Sequence, residues 1–309
     1  MSDLPLVSPL DRVLFLRTQP HFARLEPGAL VIIANHTVER SFRKGDVIFE
    51  ESKPRRFFHF LVEGTVRTTL DGETLFDISA PGGVGLAHVF ARSDQPSGAV
   101  ALTDVVSLQI EVEVFMQIME DCFPIVFEFG QILAKMIGNA EETLSIAPGA
   151  DECVACRVPA SDETLDLVQR LTRTRRASLF SKASLTMLTE LLRGTPEHYV
   201  EQDEWLFRPG QLPKSLFVIF EGTVRIEDQL GKRVAFAGPG EVVSLADCCR
   251  NEPHSFGAIT DSPVQLLRID KSHYIDVLED HFEHALDLLA ELALRYLELS
   301  VRIHQSPVS

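Results

Sequence analysis

The chain has 309 residues, 45% of them apolar and 24% charged, with a formal net charge of −16. This length predicts two domains, each able to bury its own core, and the acidic balance repels phosphate backbones, which argues against nucleic acid as a direct partner. No apolar run of about 18 residues marks a membrane span, the opening MSDLPLVSPLDRV lacks a basic start and an apolar signal core, and five cysteines do not make a disulfide framework at this length. A cytoplasmic protein with reduced thiols is expected.

In chain order, a helix-like stretch FARLEPGALVIIANH (22–36) precedes short β-type runs: DVIFEE (46–51), FFHFLVEGTVRTTL (57–70), ETLFDI (73–78) and AVALTDVVSLQIEV (99–112). Helix returns over 113–144, interrupted by Pro124 and therefore read as two helices. Residues 145–163, SIAPGADECVACRVPASDE, have Pro, Gly, Ala and acids without periodicity and read as an exposed linker. A second helix-like start, SLFSKASLTMLTELL (178–192), is followed by EWLFRPG (204–210), LFVIFEGTVRIE (216–227), RVAFAG (233–238) and FGAITDSPVQLLRI (256–269). In the closing helical run 272–304, Phe282, Leu286, Leu289, Leu292 and Tyr296 form an apolar stripe at three- and four-residue steps. That stripe is expected to pack on its own roll, with an outer end suited to pairing with a second chain.

The chain repeats itself. EGTVR occurs at 63–67 and again at 221–225, 158 residues on. The same spacing relates Phe49 to Phe207 and Pro81-Gly82 to Pro239-Gly240, and a spacing of 157 relates Thr103-Asp104 to Thr260-Asp261. Two copies of one fold explain these anchors. Alternating strands with Gly turns predict an α+β chain of two tandem β-rolls, jelly-roll-like double-stranded β-helices, each flanked by helices. Gly64 and Gly222 fall where a hairpin or bulge needs freedom from Cβ. The domains are read as 12–143 and 166–305, with a linker at 144–165.

The stretches KGDVIFEE (44–51), FFHFLVEGTVR (57–67) and APGGVGLA (80–87), with EQDEWLFRPG (201–210), LFVIFEGTVR (216–225) and GPGEVVSLA (238–246), resemble the cyclic-nucleotide-binding domain, in tandem. The arrangement is similar to the regulatory subunit of cyclic-AMP-dependent kinase. It lacks the helix-turn-helix that follows the roll in the catabolite-activator type of transcription factor, so the family's DNA-reading element is not expected.

The resemblance implies a cassette in each roll. There a short helix presents backbone N–H groups to a cyclic phosphate, an Arg grips the phosphate, and a Glu accepts from the ribose 2′-OH. The family pattern is F-G-E-L-A-L followed by P-R-A-A. Gly85-Leu86-Ala87 and Ser244-Leu245-Ala246 match the first part, with Leu86 and Leu245 where the Glu should stand. Taking Pro96 and Pro253 as the guide puts Ser97 and His254 at the Arg position; counting back from Thr-Asp puts Gln95 and Glu252 there. Neither register supplies an Arg. Arg92 and Arg250 lie close enough in sequence to be candidate replacements. His254 reads either as a weak, pH-dependent phosphate contact or as a surface-loop histidine.

Losing both groups would remove about 4–6 kcal/mol, or roughly 10³–10⁴ in affinity. The expected function is therefore a non-enzymatic signalling or regulatory protein that acts by protein–protein interaction, with weak or lost cAMP and cGMP binding. The alternative is a genuine cyclic-nucleotide or other nucleotide sensor that transmits binding to a protein partner. No cofactor, metal, nucleic acid or membrane is expected. cAMP or cGMP is the candidate ligand, and a homodimer through the C-terminal helix is the candidate assembly.

Other features read as structural. Cys153 and Cys156 have C-x-x-C spacing without a second pair to complete a zinc site. Arg175-Arg176-Ala177-Ser178 is similar to a basophilic kinase site, which makes Ser178 a candidate phosphorylation position, against a basic cap to the second copy. His273, His281 and His284, with Asp280 and Glu283 among them, read as a solvated acidic face.

Overall fold

The structure is a computed structural model and describes residues 8–147 and 164–305, apart from 20, 21, 24, 52, 54, 71, 93–96, 232 and 233. Most of the expected linker, with Cys153 and Cys156, lies outside these residues, as does Gln95. The chain forms two compact units, one of residues Met1–Leu133 with Leu292–Ser309, the other of Ala134–Glu291.

Unit one opens with α1 (Pro9–Thr18) and α2 (Pro27–His36). Ser8 caps α1 by accepting from the Asp11 amide, and proline at the first helical position starts both helices without losing a needed donor. Eight strands follow: β1 (Val38–Phe42), β2 (Val47–Phe49), β3 (Phe57–Glu63), β4 (Thr65–Leu70), β5 (Glu73–Ser79), β6 (Gly82–Val84), β7 (Ser97–Ala101) and β8 (Val105–Glu111). A short α3 (Leu86–Phe90) sits between β6 and β7. The strands form two antiparallel sheets in the orders β1-β8-β3-β6 and β2-β7-β4-β5. Leu61, Val66, Val84, Ala99, Ala101 and Val105 fill the space between them. Then come α4 (Val112–Asp121) and α5 (Phe123–Leu144), with Pro124 in the first turn of α5, where it removes no intrahelical bond.

Unit two starts with α6 (Leu167–Thr174), whose Asp166 and Gln169 form a reciprocal cap. A single 3₁₀ turn at Ser178–Phe180 leads to α7 (Leu185–Arg193), capped by Ser184 and burying Met187, Leu188, Leu191 and Leu192. The strands are β9 (Glu197–Val200), β10 (Trp205–Phe207), β11 (Ser215–Glu221), β12 (Val224–Asp228), β13 (Val234–Ala237), β14 (Val242–Val243), β15 (Phe256–Thr260) and β16 (Val264–Asp270), with α8 (Leu245–Arg250) before β15. Their sheet orders, β14-β11-β16-β9 and β10-β15-β12-β13, reproduce the first roll strand for strand. Even the bulges recur, between Leu61 and Glu63 and between Ile219 and Glu221. α9 (Lys271–Asp280) and α10 (Phe282–Gln305) close the chain.

The repeated glycines have a steric cause. Gly64 has φ 90° and Gly222 φ 85°, and a methyl at either would collide with the carbonyl oxygen of Asp104 or of Pro263. The next amide in each copy is caught by a hydroxyl: Thr65 N–H by Thr103 Oγ1 at 2.9 Å, Thr223 N–H by Ser262 Oγ at 3.0 Å.

That pairing corrects the Thr-Asp anchor. Thr103 corresponds to Ser262, and Thr260 corresponds to Ala101, since Val66 pairs with Ala101 and Val224 with Thr260. From the cassette onward the copies are 159 residues apart, so position 95 matches His254 and Ser97 matches Phe256. The repeated dipeptide is coincidental.

The C-terminal stripe is also corrected. The buried residues of α10 are His284, Ala285, Leu288, Leu289, Leu292, Ala293, Leu297, Leu299 and Ser300, while Phe282 and Leu286 are only partly covered. From Leu292 the helix belongs to unit one, where Tyr296 packs on Phe76 of the first roll with ring centroids 6.0 Å apart. Its end therefore does not pack on its own roll. In the same way α5 belongs to unit two from Ala134.

Candidate functional site

The first cassette runs from β6 through Gly85 to α3. Gly85 has φ 96°, and this left-handed residue turns the chain from strand into helix. Leu86, which opens α3, is buried at 8% exposure. Ala87 follows it in α3, and Arg92 is exposed with φ 48° just beyond that helix.

The cation inside this cassette comes from elsewhere. Arg55, on the connection between β2 and β3, donates from Nη2 to the Ser97 carbonyl at 2.9 Å and also to the Ser97 hydroxyl. Its guanidinium carbon lies 5.6 Å from the centre of the Phe49 ring, and a Cβ on Gly85 would stand 3.6 Å from its Cδ. Burial lowers its pKa to about 10. Arg55 has no carboxylate within ion-pair distance among the described residues, and its buried Nε has no hydrogen-bond partner. Glu51 gives one oxygen to the Thr69 hydroxyl and the Gly72 amide instead. His88 of α3 is 6% exposed with no partner for Nε2 among the described residues, and burial and then the charge of Arg55 depress its pKa to about 3.

The second cassette is built differently. Ser244 takes the left-handed conformation at φ 72°, matching Gly85, and its hydroxyl lies 3.6 Å from the Cys248 sulfur. Leu245 and Ala246, partly covered, open α8. Asp247 stands where the first copy has His88, and its carboxylate lies between Arg250 and His254. One oxygen pairs with Arg250, and the other lies 2.7 Å from Nδ1 of His254. The three side chains are 11%, 13% and 2% exposed.

His254 is stacked on Phe207, with centroids 3.9 Å apart and planes at 18°. The surface-loop reading of His254 is therefore wrong: it sits in the cassette. The interlocking Asp247 was missed, because nothing in the sequence marks an aspartate three residues into a short helix as a ligand for residues on both sides of a turn. Both rolls thus set a nitrogen group on the phenylalanine shared by β2 and β10, Arg55 on Phe49 and His254 on Phe207.

Arg250 also lies against α5. A methyl at Gly138 would collide with Nη1 of Arg250, and Lys135 pairs with the exposed Glu252 at 3.4 Å. The corresponding positions in unit one are Ala91 and Leu297, both buried. The small residue and the large one have changed places between the copies.

The remaining candidates fall outside the cassettes. Ser178 is exposed, and its hydroxyl donates to Glu291 at 2.6 Å. Burial raises the thiols of Cys248 and Cys249 to about 11 and about 12, which keeps them protonated and unreactive. The solvated-face reading of the last histidines fails for His284, which is 3% exposed and stacked on Phe180 at 5.3 Å. His281 lies 3.0 Å from Glu190, and His273 donates to the Leu191 carbonyl at 3.0 Å. Among the described residues no group of three His, Cys, Asp or Glu side chains is placed to hold a metal. No helix among them is long and apolar enough to cross a membrane.

In comparison with known families, the cyclic nucleotide-binding domain matches residues 39–122 and 197–281, together more than half of the chain. A search of curated proteins gave no match. Similar solved structures include the regulatory subunit of a cAMP-independent protein kinase A from Trypanosoma brucei, 13% identical, TM-score 0.34, covering 91% of each chain. The regulatory domain of Toxoplasma gondii PKA with cAMP is 11% identical, TM-score 0.34, over 92% of this chain and 95% of that one. The sensor domain of the transcriptional regulator DNR from Pseudomonas aeruginosa is 24% identical, TM-score 0.39, over 46% of this chain and 95% of that one. The two matched spans fall on the two rolls, and the chain belongs to the cyclic nucleotide-binding domain family, with the domain present twice.

Proposed function

We propose that this is a non-enzymatic, cytoplasmic regulator whose two domains, 12–143 and 166–305, act by binding another protein and do not grip cAMP or cGMP tightly. The observation that carries this reading is Asp247. It sets a carboxylate of the chain itself against Arg250 and His254, in the cassette where a nucleotide phosphate would have to compete for them. A cyclic nucleotide must displace that carboxylate from a largely buried site and then leave it unpaired. With Leu86 and Leu245 at the glutamate positions, neither cassette repays the loss through the ribose.

The surfaces offered to a partner are the outer faces of the cassettes and the C-terminal helix, where Leu294 is 41% exposed. Exposed Leu10 and Leu14, one turn apart on α1, add apolar surface in unit one. Calorimetric titration with cAMP and with cGMP tests the reading. No saturable heat below about millimolar ligand is expected, and micromolar binding to either roll overturns it. The second reading, a sensor, has one observation in its favour: the guanidinium of Arg55 has no carboxylate within ion-pair distance among the described residues.

A further inference from the structure

We infer that the turn joining α6 to α7 is a docking face for an acidic segment of a partner protein, one with carboxylates on either side of an apolar residue. The inference rests on the reading above only in taking the chain to work by binding another protein, and it gives that partner its chemistry.

Charge sets this turn apart. Residues 167–189 carry Arg170, Arg173, Arg175, Arg176 and Lys182 and not one Asp or Glu, in a chain whose net charge is −16. Two of these cations have internal partners. Arg170 donates to the carbonyls of Leu192 and Thr195 at the end of α7, as Arg12 does to Ala34 and Thr37 at the end of α2, so this contact is a structural part of both units. Arg173 pairs with Glu221 at 2.7 Å and donates to Gln265 at 2.6 Å, which ties α6 to β11 and β16.

The other three are left over. Arg175, Arg176 and Lys182 are exposed, and none has a carboxylate within ion-pair distance among the described residues. Arg175 donates from Nη2 to the Ala183 carbonyl at 2.9 Å, which closes the turn and brings its side chain to the backbone between Lys182 and Leu185. Leu185, the first residue of α7, is 60% exposed. Glu291, the acid that meets the turn, accepts from the Ser178 hydroxyl at 2.6 Å. Ala177, Leu179 and Phe180 are buried, so the turn is a fixed surface and not a strand offered for pairing. Three cations around an exposed leucine fit carboxylates flanking an apolar side chain. Charge also chooses among acidic partners. Screening confines each field to about 8 Å at physiological salt, so a short segment lying on the turn meets the local cations alone. A nucleic acid or an anionic bilayer extends beyond it, over a chain with an excess of carboxylates.

The test uses the full chain and a fluorescent peptide of repeated Glu-Glu-Leu, with repeated Gln-Gln-Leu as the neutral control, followed by anisotropy. The acidic peptide is expected to bind saturably, about tenfold tighter than the neutral one for three exposed pairs, and to weaken as salt rises. Arg176→Glu with Lys182→Glu should abolish binding at unchanged Tm, since neither side chain has a partner to lose. If that reversal lowers Tm, Arg176→Gln with Lys182→Gln should still weaken binding about fivefold. Leu185→Ser should weaken it by about as much. The same reversal at exposed cations of unit one, Arg43→Glu with Lys44→Glu, should leave it within about twofold.

No saturable binding below about millimolar peptide overturns the proposal, as does an equal loss from the two reversals. Binding of a short oligothymidylate or of phosphatidylserine vesicles at least as tightly as the peptide assigns the face to another class of partner and overturns it too. Micromolar cAMP binding overturns the loss of nucleotide grip proposed above, yet leaves standing a peptide response that depends on Arg176 and Lys182.

Discussion

Replacing Asp247 by alanine should damage unit two more than any other single change in either cassette. The carboxylate is 11% exposed and has Arg250 on one oxygen and His254 on the other, 2.7 Å away. Removing one partner of a buried ion pair costs about 3–5 kcal/mol, because the charge left behind is neither solvated nor paired. For a unit of this size each kcal/mol lowers Tm by about 2–4 °C, so a fall of roughly 6–20 °C is expected. Differential scanning calorimetry of the full chain reads it directly. A second substitution separates charge from packing: Arg250→Met on the Asp247→Ala background should return most of the loss, giving strong non-additivity between neighbours. A loss under about 1 kcal/mol, or double-variant losses that simply add, would refute the claim that Asp247 is held as a buried counter-anion.

Gly138→Ala should forfeit the roughly 1 kcal/mol that alanine otherwise gains over glycine inside a helix, because its methyl meets Nη1 of Arg250, and should become stabilising by about that amount once Arg250 is methionine; denaturant melts of both backgrounds check this. Gly64→Ala and Gly222→Ala should each destabilise their unit by more than about 1 kcal/mol, and by similar amounts, because each pairs a positive φ with a carbonyl collision. Stability should also fall in acid. Burial, assisted by Arg40, Arg55 and His281 respectively, holds His59 at about 4, His88 at about 3 and His284 at about 4, all below the ordinary 6.5. The unfolded chain takes up protons near pH 6.5 and the folded one does not, so these groups leave stability intact above that pH and withdraw it as pH falls toward 4. The slope reaches about 1.4 kcal/mol per pH unit for each histidine. Urea midpoints at pH 7 and pH 5 measure the effect, and His284→Phe should flatten it.

The duplication was legible because it rests on local geometry. EGTVR recurs since a glycine must sit against a carbonyl at that turn in both rolls, and the strand alternation around it is visible as residue pattern. The expectation that Leu86 and Leu245 stand at the glutamate positions comes from the family resemblance of the same stretches. What failed was anything that depended on an insertion or on space. One extra residue between the Pro-Gly turn and β14 shifts the copies from 158 to 159, so a chance Thr-Asp repeat gave the wrong register and left His254 poorly placed. Arg55 lies about thirty residues upstream of the cassette it enters, on a connection with no motif of its own. Asp247 is unreadable for a related reason: an acid in an acidic chain draws no notice until Arg250 and His254 are seen folded against it. The end of α10 misled as well, since an apolar stripe reports burial and not which roll supplies the cover.

The central claim is that the second cassette already holds its own anion. A crystal structure of the full chain grown with saturating cAMP tests it most directly. The Asp247 carboxylate should still be lodged between Arg250 and His254, with no nucleotide phosphate on either. A cyclic phosphate seated on Arg250, with Asp247 swung away, would contradict it.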